Sequence, residues 1–136
     1  MSASDGFDPA TFFQEGGAAM YLVLCIGALS HVLALAALGS MLAKRRAMPL
    51  GFGAATLLFA LSTACTGVGG YLMGMRNVED AVAFADPELQ ARLRAQGQEE
   101  CDNNLYFGGC AFLFPFFAGL VAVGRGAMMK DGPPTA

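Results

Sequence analysis

Hydrophobic positions along the chain fall into three long blocks, not into the short alternating or amphipathic units of a water-soluble core. Residues 16–43, 47–75 and 103–124 carry no formal charge at all. An α-helix needs roughly 20 apolar residues to cross about 30 Å of hydrocarbon, and each block reaches that length. The pattern predicts an all-α membrane protein with three transmembrane helices, spanning about 18–43, 50–75 and 103–129. What is left over is too short for an independent soluble domain, so residues 1–136 are expected to form a single membrane domain.

Polar positions mark where the blocks begin and end. The third block is entered through Gln96-Gly-Gln-Glu-Glu-Cys-Asp-Asn-Asn104, a run of acids and amides leading straight into Leu and Phe. That order suits a helix entering lipid from an aqueous face. In the segment 77–102, Asp86-Pro87-Glu88 is a helix start: a capping residue, a proline for the first turn and an acid near the positive end of the helix dipole. Leu89 and Leu93 lie four apart and share a face. A short extramembrane helix from about Pro87 is therefore expected between the second and third spans, with continuation across Gly97 as the other possibility. The turn 44–49 is short enough to force the first two spans into an antiparallel hairpin. Near the N-terminus, Asp8-Pro9 predicts a short helix over 11–14, with Phe12 and Phe13 on the membrane surface before Gly16-Gly17 breaks it. No basic residue precedes the first block, so a cleavable signal peptide is not expected.

Composition sharpens this picture only slightly, with 55% of residues hydrophobic and 14% charged. The net charge of −3 matters less than its layout. Lys44, Arg45 and Arg46 occupy the first turn, and Arg125 and Lys130 follow the third block. Glu79, Asp80, Asp86, Glu88, Glu99, Glu100 and Asp102 outnumber Arg92 and Arg94 in the second connection. Basic loops stay cytoplasmic, which predicts a cytoplasmic first turn and C-terminus, with the N-terminus and the 77–102 segment outside. No basic patch is large enough to engage nucleic acid. Cys25, Cys65 and Cys110 lie inside blocks, where cysteine acts as a small apolar residue, and Cys101 has no partner nearby in sequence.

Candidate chemistry is sparse. His31 sits mid-block, where an ionisable group reads either as a proton or ion carrier or as a neutral imidazole bonded to a carbonyl. The second block turns small and polar in its later half. Gly70 and Gly74 are spaced as GxxxG, and Gly67 joins them as a helix-packing candidate. Thr63 and Thr66 could instead line a hydroxyl pathway. Gly108 and Pro115 are the packing and bending candidates of the third block, since proline removes a backbone hydrogen bond and crowds the preceding turn. Glu99, Glu100 and Asp102 read as a solvated rim or as a weak cation site. No nucleotide-binding, hydrolase or zinc-protease motif occurs, so neither an enzyme nor a metal or cofactor is expected.

Three stretches resemble the MotA/TolQ/ExbB proton-channel family. Glu15-Gly-Gly-Ala-Ala-Met-Tyr21 is similar to the family's entry to its first helix. Gly70-Tyr-Leu-Met-Gly-Met75 is similar to the end of its second. Gly97-Gln-Glu-Glu100, followed by Gly108 and Pro115, is similar to its third. The resemblance implies a bacterial inner-membrane, multi-pass protein, ring-forming and pentameric, with a possible single-span partner and membrane lipid around it. It implies a pore lined by the second and third spans, with Glu100, Asn103 and Asn104 at the mouth and Thr63, Thr66 and Tyr71 along it. The chain departs from the family in three places. Tyr71 and Leu105 stand where threonines are expected, and the large cytoplasmic domain is reduced to the turn 44–49. These departures favour the alternative of a non-conducting structural or scaffold subunit of a larger membrane complex.

Overall fold

A computed structural model describes residues 17–43 and 45–129 as three helices in antiparallel succession: α1 (Gly17–Ser40), α2 (Ala47–Ala83) and α3 (Pro87–Met128). The helix expected over 11–14 lies outside the described residues. All three helices are long and apolar enough to cross a membrane, and no strand occurs among the described residues. Most of the apolar surface points outward: Leu35, Leu58 and Phe117 are each more than half exposed. Fully burying such a side chain is worth about 1.5–3 kcal/mol, so a surface of this kind is stable only in lipid. The chain is a multi-pass membrane protein.

What holds the helices together is a seam of small residues repeating by sevens. Along α2 the buried positions include Pro49, Gly53, Thr56, Ala60, Thr63 and Gly67. Along α3 they include Gly97, Cys101, Asn104, Gly108, Pro115, Ala118 and Ala122, and along α1 Met20, Val23, Gly27, Ser30, Ala34 and Ala37. Alternating steps of three and four keep one face toward the neighbour, the period of a left-handed supercoil. Because the seam is mostly Gly, Ala, Ser and Thr, backbones meet directly, as helices in lipid favour. A Cβ added at Gly67 would lie 2.8 Å from the Asn104 carbonyl oxygen and 3.0 Å from the Gly108 Cα. One added at Gly53 would lie 2.9 Å from the Val123 nitrogen. One added at Gly27 of α1 would lie 3.3 Å from the Ala111 Cβ of α3 and 3.6 Å from the Thr63 Cγ2 of α2.

The short extramembrane helix expected between the second and third spans is not found. Residues 77–102 instead belong to two long helices. α2 continues to Ala83, a tight turn follows, and α3 runs from Pro87 through Gly97 and Pro115 without interruption. Gly97 does not break the helix because its bare Cα is where Val78 of α2 packs. The two legs are also clamped by Arg94, whose Nε and Nη2 donate to Glu79 Oε1 and Oε2 at 3.0 and 2.7 Å. Pro87 takes the first helical turn as expected, but the Asp86 side chain makes no capping hydrogen bond. Glu88 remains the acid in that turn. At the start of α1, Gly17 adopts φ 63°, a left-handed conformation that glycine reaches without strain. At 1.5 Å per residue α1 is roughly 36 Å long, while α2 and α3 are roughly 55 and 63 Å. The pair α2–α3 therefore outruns α1 and projects as a helical hairpin.

Candidate functional site

Where the hairpin leaves the bundle, the start of α1 meets α2 and α3 around a cavity of about 600 Å³. Its deep walls are Ala18, Ala19 and Leu22 from α1 and Thr66, Gly69, Gly70 and Met73 from α2. Asn77, Gly97, Glu100, Cys101 and Asn104 form the part nearest the charged hairpin. The space exists because the seam here is glycine: a Cβ at Gly70 would sit 2.7 Å from the Ala19 methyl and 3.2 Å from the Asn104 Cγ.

The polar groups of this cavity differ in how free they are. Thr66 donates its hydroxyl to the Ser62 carbonyl at 2.8 Å. Glu100 is half-buried and accepts from the Gln96 amide at 3.2 Å across one turn of its own helix. Asn104 is 4% exposed, with its side chain over Gly70. Cys101 is buried against Gly74, just before the uncharged run begins. Burial, and then the negative charges of Glu100 and Asp102, push its thiol above the ordinary 9.0. It stays protonated at neutral pH.

A second cavity of about 350 Å³ opens between α1 and α3 around His31, Phe107 and Cys110. His31 Nδ1 lies 2.7 Å from the Gly27 carbonyl oxygen. A carbonyl only accepts, so Nδ1 carries the hydrogen and donates to its own helix. The ring stacks on Phe114 with centroids 5.6 Å apart.

Of the residues singled out from sequence, Glu100, Asn104 and Thr66 come together at the first cavity, with Gly70 and Gly74. Thr63 is buried in the seam and donates to the Phe59 carbonyl at 2.9 Å. Gly67 and Gly108 face each other there, and Pro115 is buried further along α3. Tyr71 and Asn103 are half-buried but line neither cavity, and His31 lines the other one. Sequence reasoning left Asn77, Cys101, Gly53, Gly119 and Gly126 out of its site and packing candidates. The signal for the glycines was the sevenfold spacing from Gly53 through Ala60, Gly67 and Gly74, matched by Gly119 and Gly126 on α3. Among the described residues no three His, Cys, Asp or Glu side chains converge as a metal site would require.

No family model, curated protein or solved structure matches this chain.

Proposed function

We propose that the chain is a non-conducting structural subunit of a larger membrane assembly. It would be a three-span anchor that holds a stiff, acidic helical hairpin beyond the membrane surface. One observation carries this reading: the Ser and Thr hydroxyls of the second span, and the His31 ring, are bonded inside their own helices. Thr56, Ser62, Thr63 and Thr66 each donate to a carbonyl four residues back, and His31 bonds the carbonyl of Gly27. Between them the seam is closed by Gly67 against Gly108. A hydroxyl bonded this way is a poor link in a proton or ion path. The hairpin, meanwhile, concentrates seven carboxylates against three arginines between positions 76 and 102. With the basic 44–46 turn in the cytoplasm of a bacterial inner membrane, this acidic hairpin faces outward, where a partner of opposite charge can dock.

A second reading is favoured by where the family-like stretches lie. Residues from all three, Ala18 and Ala19, Gly70 and Gly74, and Gly97 and Glu100, line the same cavity. In a pentameric ring that cavity could form part of a proton path, with Glu100 as the titrating group at its mouth and a single-span partner as the driven element. The two readings separate in liposomes. Proton flux at background for both wild type and Glu100→Ala, together with a stable heteromer from detergent extracts, supports the structural subunit. Wild-type flux above background that Glu100→Ala abolishes overturns it in favour of the channel.

A further inference from the structure

We propose that the cavity at the base of the hairpin is a lipid site selective for an ammonium headgroup, filled by phosphatidylethanolamine. Small-molecule sites of about 300–1,000 Å³ bury apolar ligand surface and fix it with a few placed polar groups. This cavity, at about 600 Å³, has that constitution. It runs along α2 from Thr66 to Val78, roughly 18 Å at 1.5 Å per residue. Polarity is graded along that length. Leu22, Met73 and the glycine faces lie toward the uncharged runs, while Asn77 and Glu100 lie toward the charged hairpin. An amphiphile aligned with the bilayer places its chain against the first set and its headgroup against the second.

Charge selects the headgroup. Glu100 is half-buried at the rim, its only hydrogen bond among the described residues comes from a neutral amide, and no lysine or arginine lines the cavity. The nearby Arg94 is engaged by Glu79. A carboxylate partly withdrawn from water beside Glu99 and Asp102 favours a cation, and an ammonium supplies one together with N–H donors. The side-chain amide of Asn77, also at this end, offers donors to the adjoining phosphate. An anionic glycerol headgroup meets the same carboxylate with the wrong sign.

The test uses the full chain released from nanodiscs of equimolar phosphatidylethanolamine and phosphatidylglycerol and weighed by native mass spectrometry. One phosphatidylethanolamine per chain should be retained, about tenfold over phosphatidylglycerol, the factor expected of one charge-assisted hydrogen bond. Glu100→Gln should bring the ratio close to one. Gly69→Leu fills the cavity from a position whose added Cβ meets nothing within 4 Å. It should abolish retention of either lipid while leaving the unfolding temperature at or above wild type. Equal retention of both lipids by wild type overturns the proposal, as does undiminished retention in Gly69→Leu. Wild type that retains neither lipid also overturns it, and the cavity then belongs to the chain's own residues before Gly17 or to a neighbouring protein.

Discussion

Replacing Gly67 by alanine probes the seam where backbone meets backbone. The added methyl would meet the Asn104 carbonyl oxygen at 2.8 Å and the Gly108 Cα at 3.0 Å. Both are backbone atoms of α3 and cannot rotate away as a side-chain tip can. Ordinary carbon contacts lie at about 3.5–4.0 Å, so α2 and α3 must part locally by on the order of 0.5–1 Å. Overpacking of that kind costs typically about 1–3 kcal/mol. Against it stands the helix preference of alanine over glycine, up to about 1 kcal/mol. The net expectation is a loss of about 1–2 kcal/mol. The matched control is Gly69→Ala, two residues on, where a Cβ meets nothing within 4 Å. Only the helix preference acts there, so the sign should reverse to a gain of up to about 1 kcal/mol. Denaturant unfolding in mixed micelles, followed by circular dichroism, measures both. If Gly67→Ala proves as stable as Gly69→Ala, the α2 and α3 backbones are not in contact at this level, and the packing argument fails with it.

Three further outcomes follow from the same geometry. The Arg94–Glu79 pair is bidentate but half-exposed, so a double-mutant cycle should find no more than about 1 kcal/mol of coupling, shrinking with added salt. The raised Cys101 thiol makes the unfolded chain ionise first as pH climbs past about 9.0, so stability conferred by this group is intact below that pH and falls above it. Cys101→Ala should flatten that alkaline decline; an unchanged slope would rule the thiol out as its source. With the orientation proposed above, a cysteine placed at Asp86 should react with a membrane-impermeant maleimide added to intact spheroplasts, whereas one placed at Lys44 should react only after permeabilisation. The reverse pattern would invert the topology.

The three spans were legible because lipid selects on a crude property: length of chain without charge. The helix start at Asp86-Pro87-Glu88 was legible too, but the continuation of α2 as far as Ala83 was not, nor that the helix begun at Pro87 is the third span itself. Gly97 reads as a possible break in one dimension, and only the opposing Val78 shows that the missing side chain is occupied space. Likewise Thr63 and Thr66 carry hydroxyls that sequence leaves free to line a path. The choice between path and packing turns on carbonyls four residues earlier, which any helix supplies. Glu100 and Asn104 could be suspected from the polar run that precedes the third span. Their meeting with Ala18 and Ala19 could not, since it depends on how far along the hairpin α1 begins.

That starting point also accounts for the cavity. A seam of small residues brings two helices into contact along their whole length, and α2 and α3 meet in this way from Leu50 against Gly126 to Val78 against Gly97. A third helix laid on such a pair cannot follow both partners equally, because the glycines that close one seam leave no side chains to fill the groove beside it. Further into the bundle, Val23 and Thr63 supply the missing volume. At the hairpin end α1 offers Gly17, Ala18, Ala19 and Leu22, and α2 offers Gly69, Gly70 and Gly74 beside Thr66 and Met73, so small residues make up most of the wall. The same glycines that let the helices touch thus leave room there, among the described residues, for the lipid proposed above. In a bilayer the molecule always at hand to fill that room is a lipid.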